Sequence, residues 1–145
     1  MRNRSVPADI VLPHVVYRDL EKAIAWLNTA FGFTEHYRYG EPISGAQLYL
    51  GCAYIMVHGA RPGSASPAAT GYRTQSLTVF IEDVDAHFAR AKAAGAKIVE
   101  EPHETCYGEW QYAAEDPDGH LWLFSRHARD LDPRDWGAKV VRPIV

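Results

Sequence analysis

Cysteine is nearly absent from this 145-residue chain, which holds only Cys52 and Cys106. Neither has a cysteine or histidine at zinc-ribbon spacing, so a structural zinc cluster of that kind is excluded. Both are expected as small buried hydrophobes in a reducing compartment, with a disulfide between them as the lesser alternative. Long apolar runs are missing too. No stretch approaches the roughly 18 to 20 residues that span a membrane, and residues 1–9 carry two arginines but no apolar run, which points to a cytoplasmic protein with no membrane partner. A formal net charge of −3 and the lack of a Lys/Arg cluster exclude nucleic acid as a partner. There is no phosphate-cradling glycine loop, no nucleophile elbow and no pair of acids with an obvious purpose.

Aromatic residues, by contrast, are plentiful: four Trp, eight Tyr and five Phe. With an apolar share of 47%, a chain of this length builds one globular domain without staples. Its most informative stretch is Glu115 to Phe124. In Asp116-Pro117-Asp118-Gly119, Pro117 presets φ, Asp116 can accept backbone N–H groups ahead of it, and Gly119 tolerates positive φ, so the chain reverses. Leu121-Trp122-Leu123-Phe124 then reads as a short strand buried on both faces.

Taken in order, Ile10 to Tyr17 is a β-branched run with Pro13 marking an edge strand or bulge. Asp19 is placed to cap a helix whose apolar stripe is Leu20, Ala23, Ile24, Leu27 and Phe31, and Gly32 is placed to stop it. Strands follow at Glu35–Tyr39, Ala46–Leu50 and Ala53–His58. Residues 59–74, rich in Gly, Pro, Ser and Ala, read as a linker or mobile loop. The pattern then repeats: a strand over Gln75–Glu82, Asp83 as cap, a helical stripe of Val84, His87, Phe88 and Ala91 stopped by Gly95, and strands at Lys97–Val99, Glu109–Ala114 and His120–Ser125. The caps Asp19 and Asp83 stand 64 residues apart. The simplest account is an α+β domain of two βαβββ modules, 9–58 and 75–127, with a C-terminal tail over 128–145 that docks through Trp136. One helix per module covers one sheet face, and the other face must meet its twin, a ligand or a second chain.

The paired modules, Asp83-Val84-Asp85 at the strand-to-helix start, Ala91 to Ala96 at the helix end, Tyr107-Gly108 before a strand and Glu115 to His120 before the last one resemble the glyoxalase, bleomycin-resistance and extradiol-dioxygenase superfamily over about residues 9–127. The resemblance implies a curved, mixed eight-stranded half-barrel, usually in a homodimer, with a small-molecule pocket on its concave side. In metal-using relatives, His, Glu or Gln from the first and last strands of each module hold an ion that grips two adjacent oxygens of the substrate. Carried onto this chain, those positions fall on Leu12, Ser76, Leu123 and either Ile55 or Val57, none of them a good ligand. A metal cofactor is therefore not expected.

A register shift of two would instead turn His14 inward. His14 reads either as a half-buried strand residue with a satisfied hydrogen bond or as a pocket donor. Its expected pocket neighbours are Ser76, Thr78, Phe80, Leu121 and Leu123, with Tyr49, His58, Trp110 and Tyr112 as further candidates. Trp26 and Trp122 are expected between helix and sheet, His87 in packing, and His103 and His120 in solvent. Three functions are then open: a metal-independent binder of a small aromatic or apolar molecule; a metal-dependent lyase, isomerase or dioxygenase using His14, His58 and one of Glu82, Glu104 or Glu109; and a homodimer whose pocket is filled by its own tail.

Overall fold

The computed structural model describes residues 3–7 and 9–142. Its elements run β1 (His14–Val16), α1 (Leu20–Phe31), β2 (Thr34–Tyr39), β3 (Gly45–Leu50), β4 (Ala53–His58), α2 (Pro67–Thr70), β5 (Ser76–Phe80), α3 (Val84–Ala93), β6 (Lys97–Glu104), β7 (Glu109–Glu115) and β8 (Leu121–His127), then a 3-10 turn over Pro133–Trp136. The two βαβββ modules are present, and their eight strands form two four-stranded mixed sheets, β1-β4-β3-β2 and β5-β8-β7-β6. In each sheet the module's first strand lies parallel to its last at the sheet edge.

Local chemistry sets the helix ends. Asp19 and Asp83 each accept a backbone N–H from the first turn, from Lys22 and Ala86 respectively. Gly32 closes α1 in the left-handed region at φ 81. Strand β1 is shorter than the apolar run from Ile10 to Tyr17: it starts at His14, just after Pro13, which has no N–H to give. Pro13 still accepts a hydrogen bond from Met56 N (2.8 Å), as an edge residue can.

The helix-covered sides of the two modules face each other and fuse into one core. Phe31 of α1 packs on Trp122 and Phe124 of β8, with ring centroids 5.7 and 4.7 Å apart, and Trp122 is fully buried. Each such ring contributes about 1.5–3 kcal/mol by leaving water. Polar contacts then fix the geometry. Asp116, 5% exposed, accepts hydrogen bonds from Tyr17 Oη (2.6 Å), Trp122 Nε1 (3.0 Å) and the N–H groups of Asp118 (2.9 Å) and His120 (3.1 Å). Burial, and then the Asp116 charge, push the Tyr17 phenol well above its ordinary value, so it stays a proton donor. On the other side of the core His87 bonds the Phe31 carbonyl through Nε2 (2.8 Å) and Tyr112 Oη through Nδ1 (2.5 Å).

Several expectations need correction. Residues 59–74 are not a featureless linker: Arg61 and Ser64 form a β-bridge, and α2 follows, tied to the 116–119 turn by Ala68 N donating to Asp118 O (2.9 Å). Cys52 and Cys106 are exposed free thiols, because both sit at turns rather than on a buried strand face. Strand β8 is buried through Trp122 and Phe124 on its core face, while on the other Leu121 and Leu123 are half-buried and Ser125 is buried. His120 is not solvent-exposed; its ring lies edge-on to Tyr17 and bonds the Val16 carbonyl (2.7 Å). Trp26 is half-buried, edge-on to Phe31. The tail docks at the β6–β7 turn, where Ala128 N and Arg129 N both donate to Gly108 O (2.9 Å) and Trp136 lies edge-on to Tyr107. A side chain at residue 108, which holds φ 88, would strike the Arg129 carbonyl, so only glycine permits this approach.

Two measurements check this core. Replacing Asp116 with Ala strands four donors and is expected to cost about 3 kcal/mol or more in urea unfolding, with Asp116→Asn losing less; a cost under about 1 kcal/mol would show that the carboxylate is not the clamp described. His87 carries the pH dependence. Burial, and secondarily the charge of Arg90, lower its proton affinity, whereas its bond to Phe31 O acts in the opposite sense. The unfolded chain therefore binds the extra proton more readily, so stability is full above the ordinary histidine value of about 6.5 and falls as pH drops below it. Tyr112, raised by burial, stays protonated across this window. His87→Gln is expected to flatten the decline in unfolding midpoint between pH 7.5 and 5; an unchanged slope would assign the effect elsewhere.

Candidate functional site

Fusing the helix sides leaves one face of each sheet outside the core. Directly paired residues share a face, so the registers His14↔Met56, Val16↔His58, Gln47↔Met56 and Tyr49↔Tyr54 place these side chains together on the outer face of the first sheet. Val15, Tyr17, Leu48, Ile55 and Val57 point into the core instead. Strand β2 adds His36 at a register shift between Glu35 and Tyr37, where its side chain reaches this face.

The face is built as a layer of rings over a polar brace. Tyr49 and Tyr54 stack, with centroids 5.5 Å apart and planes 24° from parallel. His36 stands edge-on to both at 6.4 Å. Gln47, fully buried beneath, accepts from His36 Nδ1 (2.6 Å) and points its amide N–H at Met56 Sδ (3.6 Å), which fixes its orientation. With Gln47 Oε1 as the acceptor, Nδ1 carries the proton of this bond, and Nε2 makes no hydrogen bond to a described residue. At the other end His14 and His58 lie 5.8 Å apart, His58 bonding the Gly59 carbonyl through Nδ1 (2.8 Å). The segment Asn3–Pro7 adjoins His36 and Tyr54, and together they line an open cleft of about 560 Å³.

On the second sheet the pairs Ser76↔Leu121, Thr78↔Leu123 and Phe80↔Ser125 form the corresponding outer face. Gln111 braces it, donating to Ser125 Oγ (2.6 Å) and accepting from Tyr107 Oη (3.4 Å). Phe80 is 62% exposed, a large hydrophobe with no intrachain cover.

Of the residues expected at the pocket, the structure gathers His14, Tyr49 and His58 on one outer face and Ser76, Thr78, Phe80, Leu121 and Leu123 on the other. Leu12 precedes β1 and belongs to no strand. Trp110 and Tyr112 are on the wrong side: Tyr112 is fully buried against Phe124 and His87, and Trp110 turns its Nε1 to Asp85 (3.0 Å). The reason is register, since Gln111, between them, takes the outward position opposite Ser125. Ile55 and Val57 likewise face the core, so the outward residues of β4 are Tyr54, Met56 and His58. Sequence reasoning missed Gln47, Tyr54, Met56 and His36. The alternation of Gln47 with the core residues Ala46 and Leu48 is the signal that could have found the first.

The donors of the outer faces are three imidazoles, those of His14, His36 and His58, with hydroxyls, engaged amides and a thioether, and among the described residues no three of His, Cys, Asp and Glu gather within reach of one cation. The acids weighed as partners stand elsewhere: Glu104 pairs with Arg129 (3.1 Å), and Glu109 lies 3.5 Å from His127. No described helix is long and apolar enough to cross a membrane.

The Gln47 brace is open to direct test. Long-range proton–nitrogen NMR at neutral pH is expected to show His36 protonated on Nδ1, and Gln47→Leu is expected to release that preference. Equal tautomer populations in the unaltered protein would remove the brace from the account.

Comparison with known proteins agrees with this architecture. The family described as Glyoxalase/Bleomycin resistance protein/Dioxygenase superfamily matches residues 10–124. The crystal structure of TioX from Micromonospora sp. ML1 is similar at a TM-score of 0.68 and 35% identity, over 80% of this chain and 96% of that one. The genomically encoded fosfomycin resistance protein FosX of Listeria monocytogenes shares the fold at a TM-score of 0.64 and 18% identity, over 83% of this chain and 94% of its own. An uncharacterised protein of Mycobacterium bovis is 28% identical over 128 residues, 83% of this chain and 84% of that protein. Two βαβββ modules in this order, matched along most of their length, place the chain in the glyoxalase, bleomycin resistance protein and dioxygenase superfamily.

Proposed function

We propose that this protein binds a small, flat aromatic or apolar molecule without a metal ion, in a pocket formed between the outer sheet faces of a homodimer. The observation that carries the reading is the stacked Tyr49–Tyr54 pair with His36 edge-on. Such a layer offers π-faces for stacking and one fixed acceptor, His36 Nε2, for orientation. A dimer is favoured because β1 and β5 are edge strands with unpaired backbone, and because Phe80 on the second outer face lacks cover within its own chain. A second copy brings an aliphatic face, with Leu121 and Leu123, opposite an aromatic one.

The alternative reading, a metal-dependent lyase, isomerase or dioxygenase, draws on the neighbouring His14 and His58. It needs at least one further charged donor, and the carbon side chain of Leu123 stands where a metal-using relative has a ligand.

The test is calorimetric titration of the purified protein with a panel of planar aromatic compounds, with assembly followed by sedimentation and metal content measured in the same samples. A dimer that binds at least one compound is expected, and Tyr54→Ala is expected to weaken that binding about tenfold, a loss of about 1.4 kcal/mol. Binding that ignores Tyr54, or a divalent ion present at one per chain, would replace this reading with the alternative.

A further inference from the structure

We infer a second small-molecule site outside both outer faces, on the exposed side of α1, that takes a planar aromatic acid. A cavity of about 440 Å³ lies there between α1 and the turn at Pro117–Asp118. That volume falls within the range of small-molecule sites, and most of its wall is carbon, from Tyr17, Ala23, Trp26 and Pro117. Trp26 is half-buried, and its T-shaped contact with Phe31 at 4.9 Å fixes the indole plane against the core. A held aromatic wall selects a flat apolar body.

The rim decides the charge of the guest. Of its two carboxylates Asp118 is held by Arg18, whereas Asp19 is engaged through one oxygen only. Asp118, its side chain only 10% exposed, accepts from Arg18 N (2.9 Å) and Arg18 Nε (3.3 Å). Asp19 accepts from Lys22 N (3.2 Å) as the helix cap. Arg18 also donates through Nη2 to the Pro117 carbonyl (3.2 Å). Lys22 differs: its ammonium comes only to 3.8 Å of Asp19, beyond hydrogen-bond length, and its side chain is 86% exposed. Among the described contacts, unused donors on the rim outnumber unused acceptors: Lys22 Nζ, one helical turn from Trp26 on the same side of α1, and Arg18 Nη1 stand against Asp19 Oδ2. A ring against Trp26 with an acidic group at Lys22 satisfies both. The floor of the cavity is Tyr17, whose hydroxyl bonds Asp116, so a guest here rests on the contact that joins the two modules.

The experiment uses the full chain and naphthalene-1-sulfonate, a flat aromatic sulfonate, with proton–nitrogen NMR to locate it. Saturable shifts are expected at the amides of Ala23 and Asp118 and at the Trp26 indole N–H. Lys22→Glu, on an exposed side chain, is expected to weaken binding at least about fivefold, and Trp26→Leu to abolish the saturable shifts. Tyr54→Ala, on the outer face of the first sheet, is expected to leave them intact, which separates this site from the one proposed above. Shifts clustered at Tyr49 and Tyr54, equal affinity in the Lys22→Glu variant, or no saturable binding at millimolar probe would overturn the inference.

Discussion

One buried carboxylate holds the two halves of this protein in register. Asp116 receives four hydrogen bonds in a site it leaves only 5% exposed, two of them from side chains that belong to different modules, Tyr17 and Trp122. Desolvating a carboxylate costs several kcal/mol, and bonds to a charged acceptor return about 1.5–3 kcal/mol each, so the site is stable only with all four donors in place. Aromatic packing between Phe31, Trp122 and Phe124 adds cohesion, but apolar contact is non-directional. Hydrogen bonding to the carboxylate is directional. It selects one placement of the modules, and that placement turns the outer faces of both sheets away from the core.

The outer faces show how a duplicated fold comes to carry unlike chemistry. Gln47 and Gln111 occupy corresponding strands, β3 and β7, both are buried, and both brace the face above them. Around Gln47 the neighbours are His36, Met56 and the tyrosine stack; around Gln111 they are Ser125 and Tyr107, with Leu123 alongside. The scaffold is retained while the surface residues differ, which is possible because outward side chains alternate with the core and can change without disturbing it.

This alternation also explains what was legible in the sequence. The helices and their caps at Asp19, Gly32 and Asp83 could be read because the signals are local and each residue acts within one turn. The faces of β5 and β8 could be read because Ser76, Thr78 and Phe80 alternate with apolar neighbours. In Ala53-Tyr54-Ile55-Met56-Val57-His58 apolar side chains alternate only with aromatic, thioether and imidazole groups, and period-two reasoning has nothing to grip; the outward set was mistaken for the inward one. The turn at Asp116 was evident, but its partners were not, since Tyr17 lies in the other module and only the folded chain brings it near. Cys52 and Cys106 misled because a small apolar residue at a turn carries no sign of its exposure.

The seven histidines divide by the face they occupy, and this division bears on where chemistry can occur. His87, between the helices and the second sheet, has both ring nitrogens bound, and burial lowers its proton affinity, so taking up a proton there loosens the module junction. His120 is tied to the Val16 carbonyl and serves the same junction. On the outer face of the first sheet His36 and His58 each have one nitrogen engaged and the other unengaged, and His14 makes no hydrogen bond to any described residue. A side chain whose polar atoms are all satisfied internally contributes rigidity, whereas one with an unused nitrogen beside exposed rings can still recognise a guest. On the outer face of the first sheet unused ring nitrogens lie beside half-buried aromatic rings, and that coincidence, more than any single residue, makes this face the candidate site.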